Sequence, residues 1–162
     1  FAAAFYVVSL LSALAVSLAY NAWPLTPAKW ILRRIDHAAI YLLIAATYTP
    51  FLTQLDDTGE AIRMIAVVWS AAAIGIALKL VFPGLYLAIG WSGVVILRPL
   101  LDTLTPTTLW LILAGGLVYC SGIVFFIWQA LRFQSALWHG FVVVGAGLHF
   151  AAIADCLVIT RL

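Results

Sequence analysis

Runs of roughly 20 apolar residues recur along this 162-residue chain, separated only by short polar breaks. A helix rising 1.5 Å per residue needs a run of about that length to cross a hydrocarbon core about 30 Å thick. The runs are continuous and do not alternate with period two, which excludes a transmembrane β-barrel. Composition excludes a soluble domain: 66% of residues are hydrophobic, 9% are charged and mean hydropathy is +1.16. A globule this small must show water far more polar surface than that. The expected fold class is all-α, a polytopic membrane helix bundle that forms one transmembrane domain over residues 1–162.

Six spans are expected, at about 2–21, 37–55, 61–81, 84–98, 107–130 and 136–158. The breaks are chemically marked. Pro24 and Pro27 with Lys29, Arg33 and Arg34 form the first, and Asp56, Asp57, Gly59 and Glu60 the second. Pro83-Gly84 marks the third, Pro99 to Pro106 the fourth and Arg132 to Ser135 the fifth. Connections this short make sequence neighbours antiparallel neighbours in space. The chain opens on Phe1, already inside an apolar run, and is read as a fragment of a longer product. That run is too long, and lacks the basic flank, for a signal peptide.

Charge sets an orientation. Lys29, Arg33, Arg34, Lys79 and Arg132 fall on one side of the membrane; Arg63, Arg98 and Arg161 fall on the other, beside Asp56, Asp57, Glu60, Asp102 and Asp155. The positive-inside rule assigns the first side to the cytoplasm and leaves Phe1 and the carboxyl end outside. A net charge of +2 is too small to indicate a nucleic-acid partner. Cys120 and Cys156 lie in separate runs with no CxxC spacing, so neither a disulfide framework nor a thiolate metal site is indicated.

Ser17 and Asn21, four apart, share one helix face at the end of span one. Asp36 and His37 open span two on the same side, and Ser135 and His139 open span six there. Residues distant in sequence are thus expected at one membrane level, as the polar parts of a site would be. His149 lies ten residues beyond His139, about 15 Å deeper. The structural alternatives are plain. Asp36 and Ser135 would cap their helices, and Ser17 and Asn21 would hydrogen-bond between helices. His149 would donate to a neighbouring helix, with a proton relay as the functional alternative. A Ser135/His139/Asp36 triad is conceivable, but nothing in the spacing puts the three in line. Trp23, Trp30, Trp110 and Trp138 lie near span ends and read as interfacial anchors, and GGLVY (115–119) as a site of close helix packing.

RRIDHAAIYLLIAATYTPF (33–51), GW at 90–91, GGLVYCSG (115–122) and ALWHGFVVVGAGLHFAAI (136–153) closely resemble the bacterial hemolysin III proteins, which belong with the progestin and adipoQ receptor superfamily. The resemblance covers essentially the whole chain, with the motifs in order and correctly spaced. It implies a seven-helix membrane protein with a cytoplasmic amino end, of which this chain begins at the second helix. Some relatives carry zinc near the cytoplasmic side, bound by three histidines, with an aspartate holding a water. That arrangement implies metal-assisted hydrolysis of lipid amides such as ceramides.

Carried onto this sequence, the match is incomplete. Ser, three residues, then His in the family's second helix reads Ser17 and Asn21 here, while the aspartate is retained as Asp36. His, three residues, then His in the last helix reads Ser135 and His139, and His149 matches a deeper histidine that is not a zinc ligand. Asn21 and Ser135 therefore replace two of three ligands, leaving Ser17 and Asp36 as the family-matched catalytic candidates. The expectation is a protein with a degenerate metal site and no cofactor, non-catalytic, working through membrane lipids or other integral membrane proteins, for instance as an accessory subunit of a larger complex. The competing expectation is a metal-dependent membrane hydrolase of lipid amides, and a transporter or channel is weakened by the scarcity of buried charge. The expected location is the bacterial inner membrane, multi-pass, with the polar residues on the cytoplasmic side.

Overall fold

The fold is a computed structural model that describes residues 2–78, 97–128 and 130–158. The described residues form six helices: α1 (Ala2–Ala22), α2 (Pro27–Leu52), α3 (Thr58–Leu78), α4 (Leu97–Thr103), α5 (Pro106–Ile127) and α6 (Gln134–Leu157). All but α4 are long and apolar enough to cross a membrane, so the chain is an all-helical, multi-pass integral membrane protein. Of the expected features, the body of span 84–98, the end of span 61–81, Lys79, Pro83-Gly84, the GW pair at 90–91 and Arg161 lie outside the described residues.

The helices fall into two compact units, Phe1–Thr103 and Leu104–Leu162. In the first, α2 packs against both α1 and α3. Tyr6, Tyr41, Phe51 and Leu52 are fully buried there. Trp69 Nε1 on α3 donates to Thr49 Oγ1 on α2 at 3.2 Å, and Phe5 on α1 tilts against the Trp69 ring at 5.6 Å. Asp57 starts α3 by accepting from the backbone N–H groups of Gly59 and Glu60 at 2.7 and 3.1 Å, as an N-cap carboxylate does.

Two boundaries differ from expectation. Helix α2 begins at Pro27, ten residues before the expected 37, so Lys29, Arg33 and Arg34 are helical. Proline needs no N–H at the first helical position, and Lys and Arg are good helix formers. The apolar run marks only the part of the helix that lipid can cover. Likewise the seven residues of α4 fall largely within the expected break from Pro99 to Pro106, because a proline in a helix's first turn removes no hydrogen bond. Pro50, inside α2, is flanked by Thr49 and Thr53, whose hydroxyls donate to Ala45 O at 2.9 Å and to Pro50 O at 2.7 Å.

The second unit is an α5–α6 hairpin notched by glycine. A Cβ on Gly115 would overlap the His149 ring, one on Gly122 would lie 2.7 Å from Phe141 Cβ, and one on Gly145 would lie 3.0 Å from the Tyr119 ring. Those glycines let the two backbones approach closely. Gly115 thus bears out the packing expected of GGLVY, whereas a Cβ on Gly116 would meet nothing within 4 Å. Trp138 is half-buried, its ring packed on Phe126 at 5.1 Å. Trp23, Trp30 and Trp110 are exposed near helix ends.

Candidate functional site

At the end of α1, Asn21 Nδ2 donates to the backbone carbonyl of Ser17 at 2.8 Å. The shared face expected from the spacing is real, and this bond lies inside α1. Ser17 is half-buried and Asn21 exposed. The turn that follows is tied down by its own side chains. Trp23 Nε1 donates to Thr26 Oγ1 at 3.1 Å, and Lys29 Nζ donates to Trp23 O at 2.8 Å while sitting 5.4 Å from the Tyr20 ring centre.

Asp36 and His37 are half-buried on α2. Because α2 starts at Pro27, Asp36 lies in the third turn, about 13 Å along the axis from the first residue. It is not the cap of this helix, since the free N–H groups belong to the first turn alone. Ser135 is not a cap either. Helix α6 starts at Gln134 after Phe133, with no side-chain cap bond.

In α6, His139 Nδ1 approaches the Ser135 backbone carbonyl at 2.5 Å and the Ser135 hydroxyl at 3.4 Å. A carbonyl only accepts, so Nδ1 is the donor in this contact. His149 Nε2 faces the Ile112 carbonyl of α5 at 3.3 Å, and its ring centre lies 5.5 Å from that of Tyr119. The expected donation from His149 to a neighbouring helix is the geometry found.

Ser17, Asn21 and Asp36 therefore belong to the first unit, and Ser135, His139 and His149 to the second. The donor set at the family-matched ligand positions is one imidazole, one carboxamide and one hydroxyl. Zinc favours imidazole, thiolate and carboxylate donors, three of them in a catalytic site, and neutral amide and hydroxyl oxygens do not replace them. The residues at these positions do not fit zinc. Cys120 is half-buried on α5 and Cys156 is buried on α6. Among the described residues, no three His, Cys, Asp or Glu side chains are grouped as a metal site would require.

A second polar cluster escaped the reading of the sequence. Thr105 caps α5, its Oγ1 accepting from Thr108 N–H at 3.2 Å, and donates to Asp155 Oδ2 at 3.0 Å. Thr108, fully buried, donates its own hydroxyl to the same oxygen. Two threonine hydroxyls thus converge on one oxygen of the Asp155 carboxylate. The signal was present in Thr105-Pro106, a capping residue followed by proline at the first helical position. What it lacked was any hint of the partner fifty residues on.

A family model described as "Haemolysin-III related" matches residues 1–150. The chain is 39% identical over 127 residues to a Bacillus cereus protein named Hemolysin-3, covering 74% of this chain and 58% of that relative. A Hemolysin-3 homolog of Bacillus subtilis (strain 168) is 37% identical over 138 residues, covering 80% of this chain and 65% of the relative. The human protein named Monocyte to macrophage differentiation factor is 33% identical over 127 residues, covering 73% and 52%. The chain thus spans less than two thirds of the length of each of these relatives. No solved structure matches it.

Proposed function

The chain belongs to the hemolysin III family, and from that premise we propose that it is a non-catalytic member whose metal site has degenerated. Its work is done by contact with membrane lipids or other integral membrane proteins, for instance as an accessory subunit of a larger membrane complex. One observation carries this reading: where the family resemblance calls for three imidazoles, the chain offers His139 alone. Asn21 has its amide turned onto the carbonyl of its own helix at 2.8 Å, and Ser135 presents a hydroxyl. Without a Lewis acid, no group in this set lowers the pKa of a water enough for attack on an amide.

The Bacillus relatives support a bacterial cytoplasmic membrane as the location. The excess of Lys29, Arg33, Arg34 and Arg132 on one side supports a cytoplasmic position for Asn21, Asp36 and His139, with the carboxyl end outside.

Elemental analysis of the purified protein beside an Asn21→His, Ser135→His double variant tests the proposal. The expected result is zinc in the variant and none in the parent. Near-stoichiometric zinc that survives dialysis of the parent would overturn it. So would hydrolysis of a lipid amide such as ceramide that is abolished by both Asp36→Ala and His139→Ala, since the family-matched site would then be at work.

A further inference from the structure

We propose that the amino-terminal third of α2, with the turn before it, is a binding site for an anionic phospholipid headgroup. This rests on the reading of the chain as a lipid-contacting membrane protein and is independent of whether it carries zinc. Helix α2 has 26 residues, about 39 Å, against a hydrocarbon core of about 30 Å. The surplus lies at its amino end, where the charges are: Lys29, Arg33 and Arg34 precede the one acidic residue of the helix, Asp36. That end therefore stands at headgroup level, where phosphate is.

The cations are arranged as well as present. Lys29 and Arg33 are four apart, as are Trp30 and Arg34, so the four line one continuous face. Lys29 is held in place by Trp23 O at 2.8 Å and by the Tyr20 ring. The Arg33 guanidinium lies 6.0 Å from the centre of the Trp30 ring, which is 66% exposed. An indole at this level keeps its apolar body in the acyl boundary and supports the arginine from one side. The planar guanidinium fork suits a partner with paired oxygens, and a phosphodiester has them. A purely topological role for the same charges would give no preference among lipids that can be read on the purified protein.

The test uses the full chain purified in neutral detergent, with phosphatidylglycerol or phosphatidylcholine added, read by retained lipid in native mass spectrometry and by thermal shift. Phosphatidylglycerol is expected to be retained and to raise Tm, with retention falling as salt rises, while phosphatidylcholine does neither. An Arg33→Gln, Arg34→Gln double variant is expected to lose about tenfold or more in phosphatidylglycerol affinity. Arg132→Gln is expected to match the parent. Arg33→Lys, Arg34→Lys keeps the charge but not the fork; it provides a folded comparison and is expected to fall between parent and Gln variant. Equal retention of the two lipids, unchanged phosphatidylglycerol retention in both double variants, or binding of inorganic phosphate alone with the same arginine dependence would each overturn the proposal. Zinc content measured on the same preparations separates this outcome from the fate of the metal-site reading.

Discussion

The two units differ in how often the described polar side chains bond between helices. Within the helices of the first, they turn back on their own backbone: Asn21 to Ser17 O, Thr47 to Leu43 O and Thr49 to Ala45 O, each four residues away. Trp69, by contrast, donates to Thr49 on the neighbouring helix. In the second unit several reach across the hairpin, with Thr105 and Thr108 on Asp155, His149 on Ile112 O and Gln134 on Phe126 O, while Ser121 and His139 bond back to Leu117 O and Ser135 O of their own helices. A bond to the preceding turn satisfies a polar group wherever its helix sits and carries no information about neighbours. A bond between helices forms in one register only. In a bilayer, where apolar surface gains little by moving from lipid to protein, such contacts and close packing decide how helices pair.

The largest effect expected from breaking this contrast is at the glycine notch. Gly115→Ala puts a methyl group into the His149 ring and should cost about 2–3 kcal/mol, read as a lower Tm in detergent. The same change at Gly116, where nothing lies within 4 Å, should be neutral or stabilising by up to about 1 kcal/mol. Equal losses at the two positions would show that helix propensity, not the α5–α6 interface, is being measured.

A smaller effect sharpens the comparison at the polar end of the hairpin. Asp155→Ala and Thr108→Val should each cost about 1–3 kcal/mol, because each leaves a partner without its bond. The double variant should cost clearly less than the sum, by about 1 kcal/mol or more. Strict additivity would mean that the two side chains are not coupled and would remove the cluster from the account of this unit.

The smallest expected effect is at the end of α1. Asn21→Ala should change stability by no more than about 0.5 kcal/mol, since Asn21 is exposed and bonds to the preceding turn. A loss above about 1 kcal/mol would place Asn21 in an inter-helix role like those of the second unit.

Much of the architecture was legible in the chain as written. Apolar runs of membrane length require helices, because lipid offers no partner for a free backbone group. Asp56 and Asp57 fall in the break expected before α3, and the last two spans lie within a few residues of their expected bounds. The departures at Asn21 and Ser135 were legible only through the family resemblance, which implies histidines at those two positions. What hydropathy could not reveal was where α2 begins, since it measures contact with lipid and a helix continues past the membrane on backbone bonds alone. Asp36 therefore moved from a helix start to a third turn. Nor could it pair Asp155 with Thr105 and Thr108, or His149 with Ile112 and Gly115. Those contacts depend on the register of one helix against another, which close packing sets and which no single segment of sequence contains.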